Sequence, residues 1–373
     1  VDLSYFIQPV HPLDRNYQEV LNEDIESIIM ADRLGYKEAF VGEHFTDTAE
    51  PITSCLMFLA RLVPVTKDIK LGSGVVNLPV YHPAMVAGHV AMMDQMLDGR
   101  FIWGIGPGGQ PSDIEMFGNR DLDRNMKMVE VFDHIMELWW GDAPYNLQGE
   151  FNSGSTEITY NPAIGQGIVP KPLHNPHPPV VVTALAPYSH GITLAAERDW
   201  HPISCQYVQA HWIKTHLPKY LEGLANSGKP EDPRGWRVAK CIFVADDDAT
   251  AQKYARSEDG PYGFYFSNLM AKLAGGGRLG LFGAYPDQPE EEITVQQSLD
   301  TQVIAGSVDS VVDQIMAFRE EIGPFGKLVY TGLDWADEKL GKRSMELMAD
   351  QVLPRVNDIL KSEEAEFDLK FGT

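Results

Sequence analysis

The chain has 373 residues, 44% of them hydrophobic, and 53 Asp and Glu against 30 Lys and Arg, which leaves a net charge of −23. That hydrophobic share supplies a large core and excludes a disordered chain, while the acidic balance offers no basic face to nucleic acid or to an anionic membrane surface. No apolar run of about 18 residues occurs, no basic-then-apolar leader is visible, and cysteines at 55, 205 and 241 match neither a disulfide framework nor a metal-ligand spacing, so a cytoplasmic protein with free thiols and no metal is expected.

The first third repeats one unit, an apolar β-rich run, a loop and a helix-period run. Residues 3–7 read as a strand, and Leu21, Ile25, Ile28 and Ile29 then fall on one helical face, with Gly35 suited to the position just past the helix end. Further strands are predicted over 39–42, 70–76, 100–105, 180–183, 201–205, 238–245 and 328–333, with helices over 126–140 and near 339–360. The runs are continuously apolar, as in a parallel sheet covered on both faces. Eight strands alternating with helices argue for an α/β fold closed as a TIM (β/α)8 barrel, one domain over 1–373. Residues 146–179, rich in Pro, Gly, Asn and Thr, read as a long excursion, and 260–301 as an insertion that is either a lid or a surface loop.

A barrel places its chemistry at the C-terminal ends of its strands. The second strand ends in Gly42-Glu43-His44-Phe45, and His44 is a candidate acid or base, against the alternative of a structural imidazole. The third carries Gly72, Gly74 and Val75 and then Asn77, whose amide suits a heterocycle. Pro83 opens the next helix, whose Met85, Met92, Met93 and Met96 are expected in the core. Gly104, Gly106 and Gly109 at the end of the fourth strand match a dinucleotide spacing. That loop should open a helix at once, yet Pro107 and Pro111 intervene and the next helical run starts only near Met126. The glycines therefore read as a backbone ledge beneath a flat ligand, the alternative being a plain tight turn.

After the fifth strand, Thr183-Ala184-Leu185-Ala186-Pro187-Tyr188-Ser189 leads into a helix. Free N–H groups there, with the hydroxyls of Tyr188 and Ser189, form a candidate phosphate cradle, although an ordinary N-cap also explains the serine. His134, His211 and His216 read as structural, and Asp246, Asp247 and Asp248 as helix caps. No HExxH, CxxC or GxSxG is present.

The segments GEH (42–44), NLPVYHP (77–83), LDGRFIWGIGPGG (97–109), KPLHNPHPPVVVTA (171–184) and GSVDSVVDQI (306–315), in this order, resemble the bacterial luciferase-like flavin monooxygenase family. Through ERDWHPIS and IFVADDDATAQKYA the chain is most similar to the oxygenating components of diketocamphane monooxygenases. The resemblance implies a TIM barrel holding reduced FMN in its mouth. Gly74 and Val75 match the family's strand bulge, often a cis peptide under the flavin ring. His44 matches a histidine beside the reacting edge, and the Tyr188-Ser189 turn, preceded by Ala184, the phosphate turn. Gly106 and Pro107 depart from luciferases, which carry a cysteine and an arginine there, so the phosphate needs backbone N–H groups or another base such as Arg124.

The chemistry implied is oxygenation, by O2 through a flavin (hydro)peroxide, of a small apolar and cyclic organic substrate, with lactone formation and hydroxylation both open. Tyr262, Phe264, Tyr265 and Phe266 are the aromatic lid residues expected to meet that substrate. A separate NAD(P)H:flavin reductase and a homodimer are the implied partners. Two alternatives remain on the same barrel, a deazaflavin-dependent oxidoreductase and a non-catalytic flavin-binding subunit.

Overall fold

The computed structural model describes residues 1–372. Eight parallel strands close on themselves: β1 (Asp2–Ile7), β2 (Glu38–Val41), β3 (Lys70–Ser73), β4 (Phe101–Gly106), β5 (Val180–Ala184), β6 (His201–Ser204), β7 (Arg237–Val244) and β8 (Lys327–Gly332). Each pairs with its neighbours in chain order, and β8 returns to β1 with Leu328 opposite Leu3. The TIM-barrel expectation holds, and among the described residues no helix is long and apolar enough to cross a membrane.

The barrel interior is filled by alternate strand residues, because successive side chains on a strand point to opposite faces. At the bottom, Arg237 donates to both Glu38 oxygens at 2.7 Å, and Ser4 donates to Glu38. One step up, Phe6, Phe40, Ile102, Val181 and Ile203 pack together. The outward-facing residues meet the surrounding helices in the main core. Helix Tyr17–Arg33 illustrates the local logic: the Asn16 side chain accepts from the N–H groups of Gln18 and Glu19 at its start, and Gly35 past its end sits at φ +82°.

Several expectations are corrected. The third strand does not run unbroken to Val76. It stops at Ser73, the Gly74-Val75 peptide is cis, and pairing resumes over Val76–Asn77 against Ile105 and Gly106. The cause is close approach. Ser73 Oγ accepts from Gly104 N and donates to Gly104 O, both at 2.8 Å, in place of a backbone ladder bond, and a Cβ on Gly104 would lie 1.8 Å from Ser73 O. A helix, Pro111–Met116, forms well before Met126. A further strand, Val303–Gly306, pairs with the upper half of β7.

The insertion over 260–301 is mostly helical, with Pro261–Ala274 and Val295–Gln302. Its Tyr262, Tyr265 and Phe266 are buried in a core cluster with Phe243 and Phe282, and Phe264 packs at its edge, so these aromatics hold the insertion down and do not face a ligand. The excursion over 146–179 carries a hairpin of Asn146–Gln148 and Ser153–Ser155. Of the four methionines expected in the core, only Met93 is buried, and Met85, Met92 and Met96 are exposed.

Candidate active site

A cavity of about 290 Å³ opens at the C-terminal end of the barrel. Its floor is the top of the interior packing, Phe6, Phe40, Ile203, Ala239 and Val329. The loops after β3 and β4 form one side with Gly74, Val75, Asn77 and the Gly106-Pro107-Gly108-Gly109 turn. Leu269, Lys272, Leu273 and Arg278 of the insertion come over from the other side. A Cβ on Gly106 would stand 2.7 Å from Val75 Cγ2, so the turn lies against the bulge only because the residue is glycine.

His44 lines this cavity between two carboxylates. Nδ1 lies 3.3 Å from Asp113 Oδ2, and Nε2 lies 3.4 Å from Glu50 Oε2. Asp113 is fixed from behind by the N–H groups of Phe45 and Thr46 and by the Thr46 hydroxyl at 2.6 Å. Glu50 is buried; Gln8 Nε2 donates to its Oε2 and Lys272 to its Oε1, both at 2.6 Å, and Lys272 also pairs with Asp47. Burial pulls the His44 pKa down and Lys272 adds to that pull, but Glu50 and Asp113 outweigh them and hold it above the ordinary imidazole value. The hydrogen-bonded Asp113 carboxyl is held below its ordinary value despite the opposing effect of burial.

A second buried carboxyl, Glu43, also borders the cavity. It accepts from Cys55 N at 3.1 Å and from the Cys55 thiol at 3.2 Å, while Asn77 Nδ2 donates to its backbone carbonyl. Burial raises its pKa. The Glu43 and Asn77 bonds tie the end of β2 to the bulge after β3 and set the Asn77 amide at the cavity wall.

The structure thus brings together His44, Gly74, Val75, Asn77 and Gly106. Ala184, Tyr188 and Ser189 lie outside the cavity lining. Ala184 is buried in the core between barrel and helices while its neighbours Thr183 and Leu185 line the cavity, and Tyr188, at φ +52° and 67% exposed, donates its N–H to Thr215 Oγ1 at 2.9 Å. Ser189 occupies the N-cap position of helix His190–Glu197, and its side chain makes no capping bond. Arg124 opens helix Arg124–Trp140, and its buried Nε has no hydrogen-bond partner. Sequence reasoning missed Glu50, Asp113, Lys272 and Arg278. Their only signal was position, since Asp113 follows Pro111 in the loop after a barrel strand, and Lys272 and Arg278 are cations in an insertion of an acidic chain.

Comparison with known proteins agrees with this fold. A family model described as luciferase-like monooxygenase matches residues 1–324. The 4-hydroxyprotoasukamycin monooxygenase of Streptomyces nodosus subsp. asukaensis is 30% identical over 96% of this chain and 93% of its own. The limonene 1,2-monooxygenase of Rhodococcus erythropolis is 29% identical over 96% and 87%. Among solved structures, the oxygenating constituent of 3,6-diketocamphane monooxygenase from Pseudomonas putida, in complex with FMN, superposes with a TM-score of 0.84 over 95% of this chain and 98% of that one, at 24% identity.

Proposed function

Because the chain belongs to the luciferase-like monooxygenase family, we propose that it is the oxygenating component of a two-component system that uses reduced FMN and O2 to oxygenate a small, apolar, cyclic substrate. The observation that carries this reading is the cavity, which joins an apolar floor and a glycine ledge to one imidazole held between two carboxylates. The residues fit a flat heterocycle. Phe6, Val75 and Leu185 offer apolar faces, Asn77 offers an amide, and Gly106 leaves clear the space that a side chain would fill. FMN, when bound, supplies the oxygen activation that no side chain provides.

The chain's own residues have three tasks. Val75, Gly106 and Asn77 orient the ring. Leu269 and Leu273 cover the cavity and exclude water, which strengthens every polar interaction beneath them. His44 holds a proton at Nε2 on the cavity wall, with Asp113 fixing the ring through Nδ1, so that it donates to an oxygen placed above the ledge or takes a proton back. Ala184, Tyr188, Ser189 and Arg124 lie outside the cavity lining and are assigned no contact with the flavin.

The relatives support the substrate class, since limonene and diketocamphane are cyclic and mostly hydrocarbon. A neighbour described as an oxygenating constituent supports a separate NAD(P)H:flavin reductase. The free, buried thiols of Cys55, Cys205 and Cys241 fit a reducing cytoplasm. The exposed methionines of helix Pro83–Met96 support a homodimer.

The test is anaerobic titration with reduced FMN, followed by turnover under ¹⁸O2 with a supplied reductase and a panel of cyclic terpenoid ketones and alkenes. Binding of reduced FMN and one labelled oxygen atom in the product are expected. Absence of flavin binding, or product oxygen drawn from water, would overturn the proposal.

A further inference from the structure

Building on that flavin reading, we propose that Arg278 is the anchor for the cofactor's phosphate. A molecule of net charge −23 repels a phosphate at long range, so local N–H groups or a local cation have to hold it. The insertion brings two cations to the cavity, Lys272 and Arg278. Lys272 is already neutralised by Glu50 and Asp47. Arg278 has no ion-pair partner among the described residues, and its hydrogen bond runs from Nη2 to Gly109 O at 3.1 Å. The guanidinium carries five N–H donors in a planar fork that matches two phosphate oxygens, and one such bond leaves most of the fork free.

The surface beside it is bare. A Cβ on Gly109 would meet nothing within 4 Å, and one on Gly108 would meet only Asn77 Oδ1 at 3.8 Å. A phosphate beside this turn would therefore meet backbone and Arg278 without displacing a side chain. The rival location is the start of helix His190–Glu197. There the Tyr188 N–H is already given to Thr215, and neither Tyr188 nor Ser189 reaches the cavity lining. Arg278 also sits on the segment that covers the cavity, so a phosphate held between it and the Gly106-Pro107-Gly108-Gly109 turn would fasten the insertion to the barrel.

The experiment compares the affinity of the full chain for FMN and for riboflavin, each reduced anaerobically, by equilibrium fluorescence. The two ligands differ only in the phosphate. Wild type is expected to prefer FMN by about tenfold or more, the size of one charge-assisted pair. Arg278→Met should cut that preference to about twofold and leave riboflavin affinity unchanged, which also shows that the variant is folded. Arg278→Lys should fall between, and Ser189→Ala should keep the wild-type ratio. Retention of the preference in Arg278→Met, or its loss in Ser189→Ala, would overturn this assignment and leave the flavin reading standing. Failure of wild type to bind either flavin would overturn both.

Discussion

Lys272 Nζ donates to Glu50 Oε1 at 2.6 Å across the cavity mouth, and so joins helix Pro261–Ala274 to the loop that follows β2. The other oxygen of Glu50 accepts from Gln8 and faces His44 Nε2 at 3.4 Å. One carboxylate therefore links the insertion to the imidazole, and the lysine tempers the charge that His44 feels.

Lys272→Met should show this link directly. Glu50 is 2% exposed, and the substitution leaves it with Gln8 and His44 alone. Removing one partner of a largely buried pair should cost about 2–4 kcal/mol, measured by urea unfolding. Because Lys272 lowers the His44 pKa, its loss should move that pKa up. Titration of the imidazole by NMR reads the shift without any turnover, and an unchanged or lowered His44 pKa would refute the coupling.

The pH dependence of stability should be dominated by a different histidine. His11 Nδ1 lies 2.8 Å from Asp334, and Nε2 lies 3.3 Å from Asp24. Burial disfavours its charged form, but the two carboxylates prevail and push its pKa up to about 9. A pKa raised on folding gives stability that is complete below the unfolded value of about 6.5 and is lost as pH rises through the folded value. Unfolding free energy should therefore fall from pH 6.5 to about 9. His44 adds a change of the same sign. In His11→Asn the slope in this window should flatten, and denaturant melts at several pH values would expose a persistent slope.

Two glycines of β4 should behave differently when replaced by alanine. Gly104→Ala puts a methyl 1.8 Å from a backbone oxygen of β3, so the barrel wall has to open, at about 3 kcal/mol or more. Gly106→Ala meets the stiff side chain of Val75 at 2.7 Å and moves the bulge, at about 1–3 kcal/mol. Its larger effect should be on the ledge, weakening reduced FMN about tenfold in the same kind of titration. Equal melting points for the two variants would contradict the assignment of close approach.

The barrel was legible because its strands are apolar on both faces, and that pattern lies within a few consecutive residues, as in Val180–Ala184. His44, Gly74, Asn77 and Gly106 were legible because each follows a recognisable strand. Lys272 was not, because its meaning depends on Glu50, 222 positions away. Val303–Gly306 was missed because it follows helix Val295–Gln302 directly, with no turn residue to mark where the insertion ends and the strand begins. Tyr262 and Tyr265 misled for a related reason, since aromatic content does not tell a buried clamp from a ligand wall.

Met85, Met92 and Met96 were expected inside and lie outside, and the reason is their spacing. They stand at i, i+7 and i+11 of helix Pro83–Met96, one stripe along it, exposed by 51%, 56% and 41%. Met57, 76% exposed, lies on helix Cys55–Leu62, which packs beside it. An apolar stripe on one helix beside an exposed methionine on its neighbour marks a contact surface, and a second copy of the chain can meet it with the same residues about a two-fold axis. Met92→Glu places two like charges near the centre of such a contact. Wild type should sediment as a dimer at micromolar concentration and Met92→Glu as a monomer with an unchanged circular dichroism spectrum. A monomeric wild type, or a variant that stays dimeric, would place the interface elsewhere.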